Sequence, residues 1–130
     1  VMDGIHLHNS DNNTIEDNTI EDNYGDAIML SGSDSNTISG NTIKDNDGDG
    51  IYLTGSDSNT ISNNTIKDND EYGISLVDSD ANTIKNNTIK DNNVGIHLED
   101  SDSNTISNNT IKSGFDFFIS IFPPFTVIIH

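Results

Sequence analysis

The sequence has no cysteine, no arginine and only two prolines in 130 residues. Without Cys, no disulfide can staple the fold, and thiols give no clue to a redox compartment. Basic charge is scarce: five Lys stand against 22 acidic residues, for a formal net charge of −17. That balance argues against nucleic acid, whose phosphates need basic partners. It suits cations, a cationic partner or plain solubility. No run of about 18 apolar residues exists, so no helix is expected to span a membrane. Val1-Met2-Asp3-Gly4 does not read as a signal peptide, which suggests a mature form or a fragment. Hydrophobic residues make up only 31%, a value that by itself suggests disorder.

What is present overturns that average. The segment Gly-Ile-x-Leu begins at Gly4, Gly50, Gly73 and Gly95, and Ala27-Ile28-Met29-Leu30 fills the second place. The steps between copies are 23, 23, 23 and 22 residues. A Ser-Asp pair follows each copy, and then Asn-Thr-Ile twice, five residues apart. The first Asn of these pairs are Asn13, Asn36, Asn59, Asn82 and Asn104; the second are Asn18, Asn41, Asn64, Asn87 and Asn109. A third Asn recurs at 23, 46, 69 and 92. Asn, Thr, Asp and Gly form helices poorly, whereas Ile and Thr favour strands. The apolar runs are short and have period two, with Ile5 and Leu7 inward and His6 outward. One rung cannot bury its own apolar face, but stacked rungs can. The pattern therefore predicts an all-β parallel β-helix of five rungs over residues 1–112. Four aliphatic residues per rung point inward, and Asn ladders run along the corners.

The repeat Gly-Ile-x-Leu … Ser-x-x-Asn-x-Ile-x-x-Asn-x-Ile-x-x-Asn resembles the right-handed parallel β-helices of the pectate-lyase-like superfamily, and within it the NosD-like group. The likeness covers residues 4–112. It implies right-handed coiling, three faces per rung and an extracellular or cell-surface setting. It says little about function, because that superfamily holds lyases, hydrolases, binding modules and scaffolds.

Candidate chemistry is sparse. Lyases of the superfamily pair acidic Ca²⁺ ligands with a basic catalytic residue, and this chain has no Arg. Lys44, Lys67 and Lys90 form a regular column begun by Glu21, which reads as a solvated face. Asp11, Asp34, Asp57, Asp80 and Asp102 form one acidic column, and Asp22, Asp45, Asp68 and Asp91 another. Like charges about 5 Å apart repel by about 0.8 kcal/mol in water, which bound cations would relieve. Asp45-Asn-Asp47-Gly-Asp49-Gly matches the first half of a calcium loop, making Asp45, Asp47 and Asp49 the candidate ligands. The twelfth position is Ser56, not Glu, and the same residues read more simply as a solvated acidic corner. The resemblance also implies a link to copper handling; His6 and His8 share one outward face but read as surface residues. Thr files along the axis raise ice binding as a minor alternative. The Asn-Asn-Thr sequons at Asn12, Asn63, Asn86 and Asn108 follow automatically from the repeat.

Residues 113–130 break the rule. All five Phe and both Pro lie there. The apolar set is Phe115, Phe117, Phe118, Ile119, Ile121, Phe122, Phe125, Val127, Ile128 and Ile129. It is expected to cap the last rung or to drive assembly. The resulting expectation is a non-enzymatic surface scaffold that self-associates through its ends. The alternative is a carbohydrate-binding or carbohydrate-processing module.

Overall fold

A computed structural model describes residues 2–112, 119–122 and 127–130. The chain coils so that each rung gives one strand to each of three parallel sheets. The first sheet holds Ile5–His8, Ile28–Ser31, Ile51–Thr54, Tyr72–Val77, Val94–Glu99 and Ile119–Ile121. The second runs from Thr14–Glu16 to Asn104–Ser107 and ends on Val127–Ile129. The third stacks Thr19–Glu21, Thr42–Lys44, Thr65–Lys67, Thr88–Lys90 and Thr110–Lys112. Pairing matches the repeat residue for residue: Ile28 lies against Ile51, Thr37 against Thr60 and Ile43 against Ile66.

Period-two alternation places one aliphatic file per short strand and two per longer strand inside. Ile28, Leu30, Ile38 and Ile43 are fully buried, and so are their counterparts in the next two rungs. The Gly that opens Gly-Ile-x-Leu is needed for close approach. A Cβ on Gly73 would lie 2.6 Å from both the Gly95 carbonyl and Ile89 Cγ2.

The corners divide their labour more finely than the sequence suggests. The left-handed residue is the one just before each ladder Asn: Asp17, Asn63 and Asn86 precede Asn18, Asn64 and Asn87. That residue makes the turn, which frees the following Asn to aim its amide along the axis. Asn41 Nδ2 donates to Asn64 Oδ1 at 3.0 Å, and Asn64 Nδ2 to Asn87 Oδ1 at 3.0 Å. The column starting at Asn13 shares the backbone contact, with Asn36 N–H donating to Asn59 Oδ1 at 2.8 Å as Asn41 N–H donates to Asn64 Oδ1. In place of an amide-to-amide bond, Asn36 Nδ2 donates to the Ser10 carbonyl. The Asp11 column also joins rung to rung. Asp34 N–H donates to Asp11 Oδ1 at 2.8 Å, and Asp57 N–H to Asp34 Oδ1 at 2.7 Å.

The C-terminal segment adds strands in register. Ile119 pairs with Ile96, and Ile129 with Ile106. Ile119 and Ile121 pack against the core, whereas Phe122, Ile128 and Ile129 are exposed. Phe115, Phe117, Phe118 and Phe125 lie outside the described residues.

Candidate functional site

The inward file of the first sheet repeats, but its outward file does not. Along one column it reads His6, Met29, Tyr52, Ser75 and His97. At the entry to this sheet a second column reads Asp3, Asp26, Asp49 and then Tyr72, each carboxylate accepting the N–H of the next member. The distances are 3.0 Å for Asp26 N–H to Asp3, 2.8 Å for Asp49 N–H to Asp26 and 2.8 Å for Tyr72 N–H to Asp49. The strands Tyr72–Val77 and Val94–Glu99 are also longer than those before them.

Where the acidic column gives way to Tyr72, a groove of about 300 Å³ opens on the outside of the sheet. Asp26, Asp49, Tyr52, Glu71, Tyr72, Ser75, Val77, His97 and Glu99 line it. The Tyr72 and His97 rings stack at 4.5 Å, and Phe122 meets the His97 ring edge-on at 5.6 Å. His97 Nε2 is 3.6 Å from a Glu99 carboxylate oxygen, while its buried Nδ1 has no hydrogen-bond partner among the described residues.

Asp49 is the group set apart electrostatically. Burial pushes its carboxyl up to about 7; the Tyr72 N–H works against the rise, and the Asp26 and Glu71 carboxylates add to it. Asp26 is raised too, chiefly by burial, with Asp3 and Glu71 contributing. A buried carboxyl with shifted titration, in a concave site beside two phenols and an imidazole, has the equipment for proton transfer or sugar binding.

The sequence singles out only part of this. Of the calcium candidates, Asp49 belongs to the groove, Asp47 is exposed, and Asp45 lies at a corner 3.1 Å from Lys44 Nζ. Among the described residues, no three His, Asp or Glu side chains converge to hold a metal ion. Tyr52, Tyr72, Ser75 and His97 escape a reading based on repeats because they occupy variable positions. That variability is the available signal: Tyr52, Ser75 and His97 take the x of Gly-Ile-x-Leu, and Tyr72 the position before its Gly.

A sequence model of the family described as periplasmic copper-binding protein (NosD) matches residues 1–119, and the chain belongs to that family. The donor set does not fit copper. His6 and His8 sit edge to face with centroids 6.2 Å apart, and His8 Nε2 is engaged by Asn9 at 3.1 Å. His97 is buried against Tyr72 in a later rung. No curated protein matches the chain by sequence. Solved structures do. The A-module of the Azotobacter vinelandii mannuronan C-5 epimerase AlgE4 superposes with a TM-score of 0.80 at 21% identity, over 90% of this chain and 37% of that one. The periplasmic alginate epimerase AlgG gives 0.78 at 20%, over 98% and 36%. The enzymatically active domain of tailspike protein 2 from bacteriophage CBA120 gives 0.70 at 12%, over 94% and 23%. The chain thus spans little more than a third of either epimerase structure. At these identities the likeness establishes the fold.

These structures correct one expectation. Rung regularity and the lack of Arg suggest a chain without enzymatic function. Structures sharing this fold nevertheless include epimerases and an enzymatically active tailspike domain. Rung regularity is therefore no argument against catalysis here, and it fails in any case at the groove.

Proposed function

We propose that the chain is a carbohydrate-processing β-helix module that holds a saccharide in the groove on its first sheet. The observation that carries this reading is the company Asp49 keeps. A carboxyl near neutrality, able to give or take a proton, lies beside Tyr52, Tyr72 and His97. Flat rings suit the C–H face of a sugar, and the phenol and imidazole edges suit its hydroxyls. The carbohydrate-linked names of the epimerases sharing the fold support the same reading. The periplasmic descriptions of NosD and AlgG support a place outside the cytoplasm. Binding and turnover across a panel of oligosaccharides test it. Tyr72→Ala should weaken the best binder by about ten-fold or more with the fold unchanged by circular dichroism. Indifference of the folded protein to every sugar would sink the reading.

A second reading, self-association along the axis, has one observation in its favour: Ile128 and Ile129 on the last strand, and Phe122 just past Ile119–Ile121, are exposed. Light scattering tests it. A concentration-dependent rise in mass that Ile128→Lys abolishes supports it, and a monodisperse monomer removes it.

A further inference from the structure

The two ends of the solenoid are unlike, and each supplies what the other lacks. At the first rung, Ile5 and Leu7 stay partly exposed, although their counterparts Ile28 and Leu30 are fully buried. In the inner rungs, the Oδ1 of a ladder Asn accepts the backbone N–H of the rung before it, as Asn59 does from Asn36 and Asn64 from Asn41. Asn13 and Asn18 donate onward to Asn36 and Asn41 in the same way. No N–H among the described residues reaches their own Oδ1 atoms.

At the far end, the inward files continue past the last full rung. Ile119 follows Ile96, Ile121 follows Leu98 and Ile129 follows Ile106. Ile129 is 52% exposed there. Those three files are the ones that open on Ile5, Leu7 and Ile15 at the first rung. Val127 lies in register with Asn104, so its N–H stands where a ladder N–H stands in the earlier rungs.

Charge sets the sense of contact. The outward file of the third sheet opens on Glu21 and ends on Lys112. Head-to-tail contact turns these opposite charges toward each other. Head-to-head contact would oppose Glu21 to Glu21, along with the five other carboxylates of residues 1–23, a stretch that holds no Lys. Tail-to-tail contact would oppose Lys112 to Lys112.

We propose that the open face of the first rung takes the C-terminal strands of a second copy, so that two sheets of one copy run in register into those of the next. This rests on the self-association reading above and names both faces of the joint and its sense. The contact is heterologous, so each joint leaves a free end and the assembly grows without closing. The first and second sheets run through the joint. The third is one strand shorter among the described residues. It leaves a step there, beside the open pocket of about 300 Å³ that Gly4, Ile5 and Ile20 help to line.

Disulfide trapping supplies the test, because the chain has no Cys of its own. Thr14 and Ile128 belong to one outward file of the second sheet. Across the joint their Cα atoms would be about 4.8 Å apart, within the reach of a disulfide, about 4.4–6.8 Å. Within one copy they are roughly 24 Å apart. The chain carrying Thr14→Cys and Ile128→Cys is oxidised in high salt, which screens its charge of −17. It should give dimers, trimers and longer species on a non-reducing gel. An equal mixture of the two single variants should stop at dimers, and each single variant alone should stay monomeric. Ile5→Lys or Leu7→Lys, whichever keeps the circular dichroism unchanged, should abolish the longer species. Dimers from either single variant alone mark like ends meeting; they overturn this inference and leave self-association standing. Oligomers seen by light scattering without any cross-link do the same. Cross-linking that survives the Lys substitution marks random collision and overturns the inference as well. No cross-link, with a monomer by light scattering, overturns both.

Discussion

The first and third sheets share a backbone and diverge in what they show outward. On the third, Thr19, Thr42, Thr65, Thr88 and Thr110 form one outward file, and Glu21 followed by Lys44, Lys67, Lys90 and Lys112 forms the other. On the first, the corresponding file runs through His6, Met29, Tyr52, Ser75 and His97. Both faces send Ile inward at every rung. Repetition is thus enforced where a side chain must meet its own copy in the next rung. Where no such meeting is required, the sequence is free to vary, and there the groove lies.

That contrast can be broken from the inside, and Asn64→Ala should do the most damage. Asn64 accepts from the Asn41 backbone and side chain and donates to the Ile38 carbonyl and Asn87. Its loss strands several buried groups, so a destabilisation of roughly 3 kcal/mol or more is expected in urea melts. Asp49→Asn sharpens the contrast from the groove side. The Asp49 carboxyl titrates at about 7 when folded, above its ordinary value of 3.8. The native state therefore holds its proton longer, and wild-type stability should fall as pH rises from about 4 to about 7. Asn keeps an acceptor for the Tyr72 N–H and cannot ionise. The variant should therefore gain on the wild type with rising pH, by on the order of 2 kcal/mol at about pH 8, visible in thermal melts at both ends. Lys67→Ala on the third sheet should do least. Its partner Asp68 is exposed, 3.0 Å away, and the stability change should stay within about 0.5 kcal/mol. A large loss there would mean that the repeated face carries more than spacing and solubility.

Most of the fold is legible in the sequence because its determinants repeat. Gly-Ile-x-Leu and the paired Asn-Thr-Ile segments mark strands, corners and register without ambiguity. The corner mechanics are harder to read. Asn is both a good left-handed residue and a good ladder residue, and only the backbone tells Asn63 from Asn64. The Asp11 column looks like charge awaiting cations because an acceptor role for a carboxylate depends on where the next rung's N–H points. The groove is least legible. Asp49 can be singled out, though for another chemistry, whereas Tyr72 and His97 become neighbours only through a stacking contact 25 residues apart in sequence.

Two of the hydrogen-bond ladders run in opposite senses. Asn41 hands its protons forward to Asn64, whereas Asp34 hands its own back to Asp11. Every joint between rungs therefore has a plug and a socket on each side, and the joints are alike. A rung such as residues 36–58 is a brick with keyed upper and lower faces. Copied in frame, it would lengthen the tower while closing both ladders at each new seam; turned upside down, it would fit nowhere. Length in such a molecule can change by whole courses of masonry, and because this brick carries Asp49 and Tyr52, each added course would lengthen the groove as well.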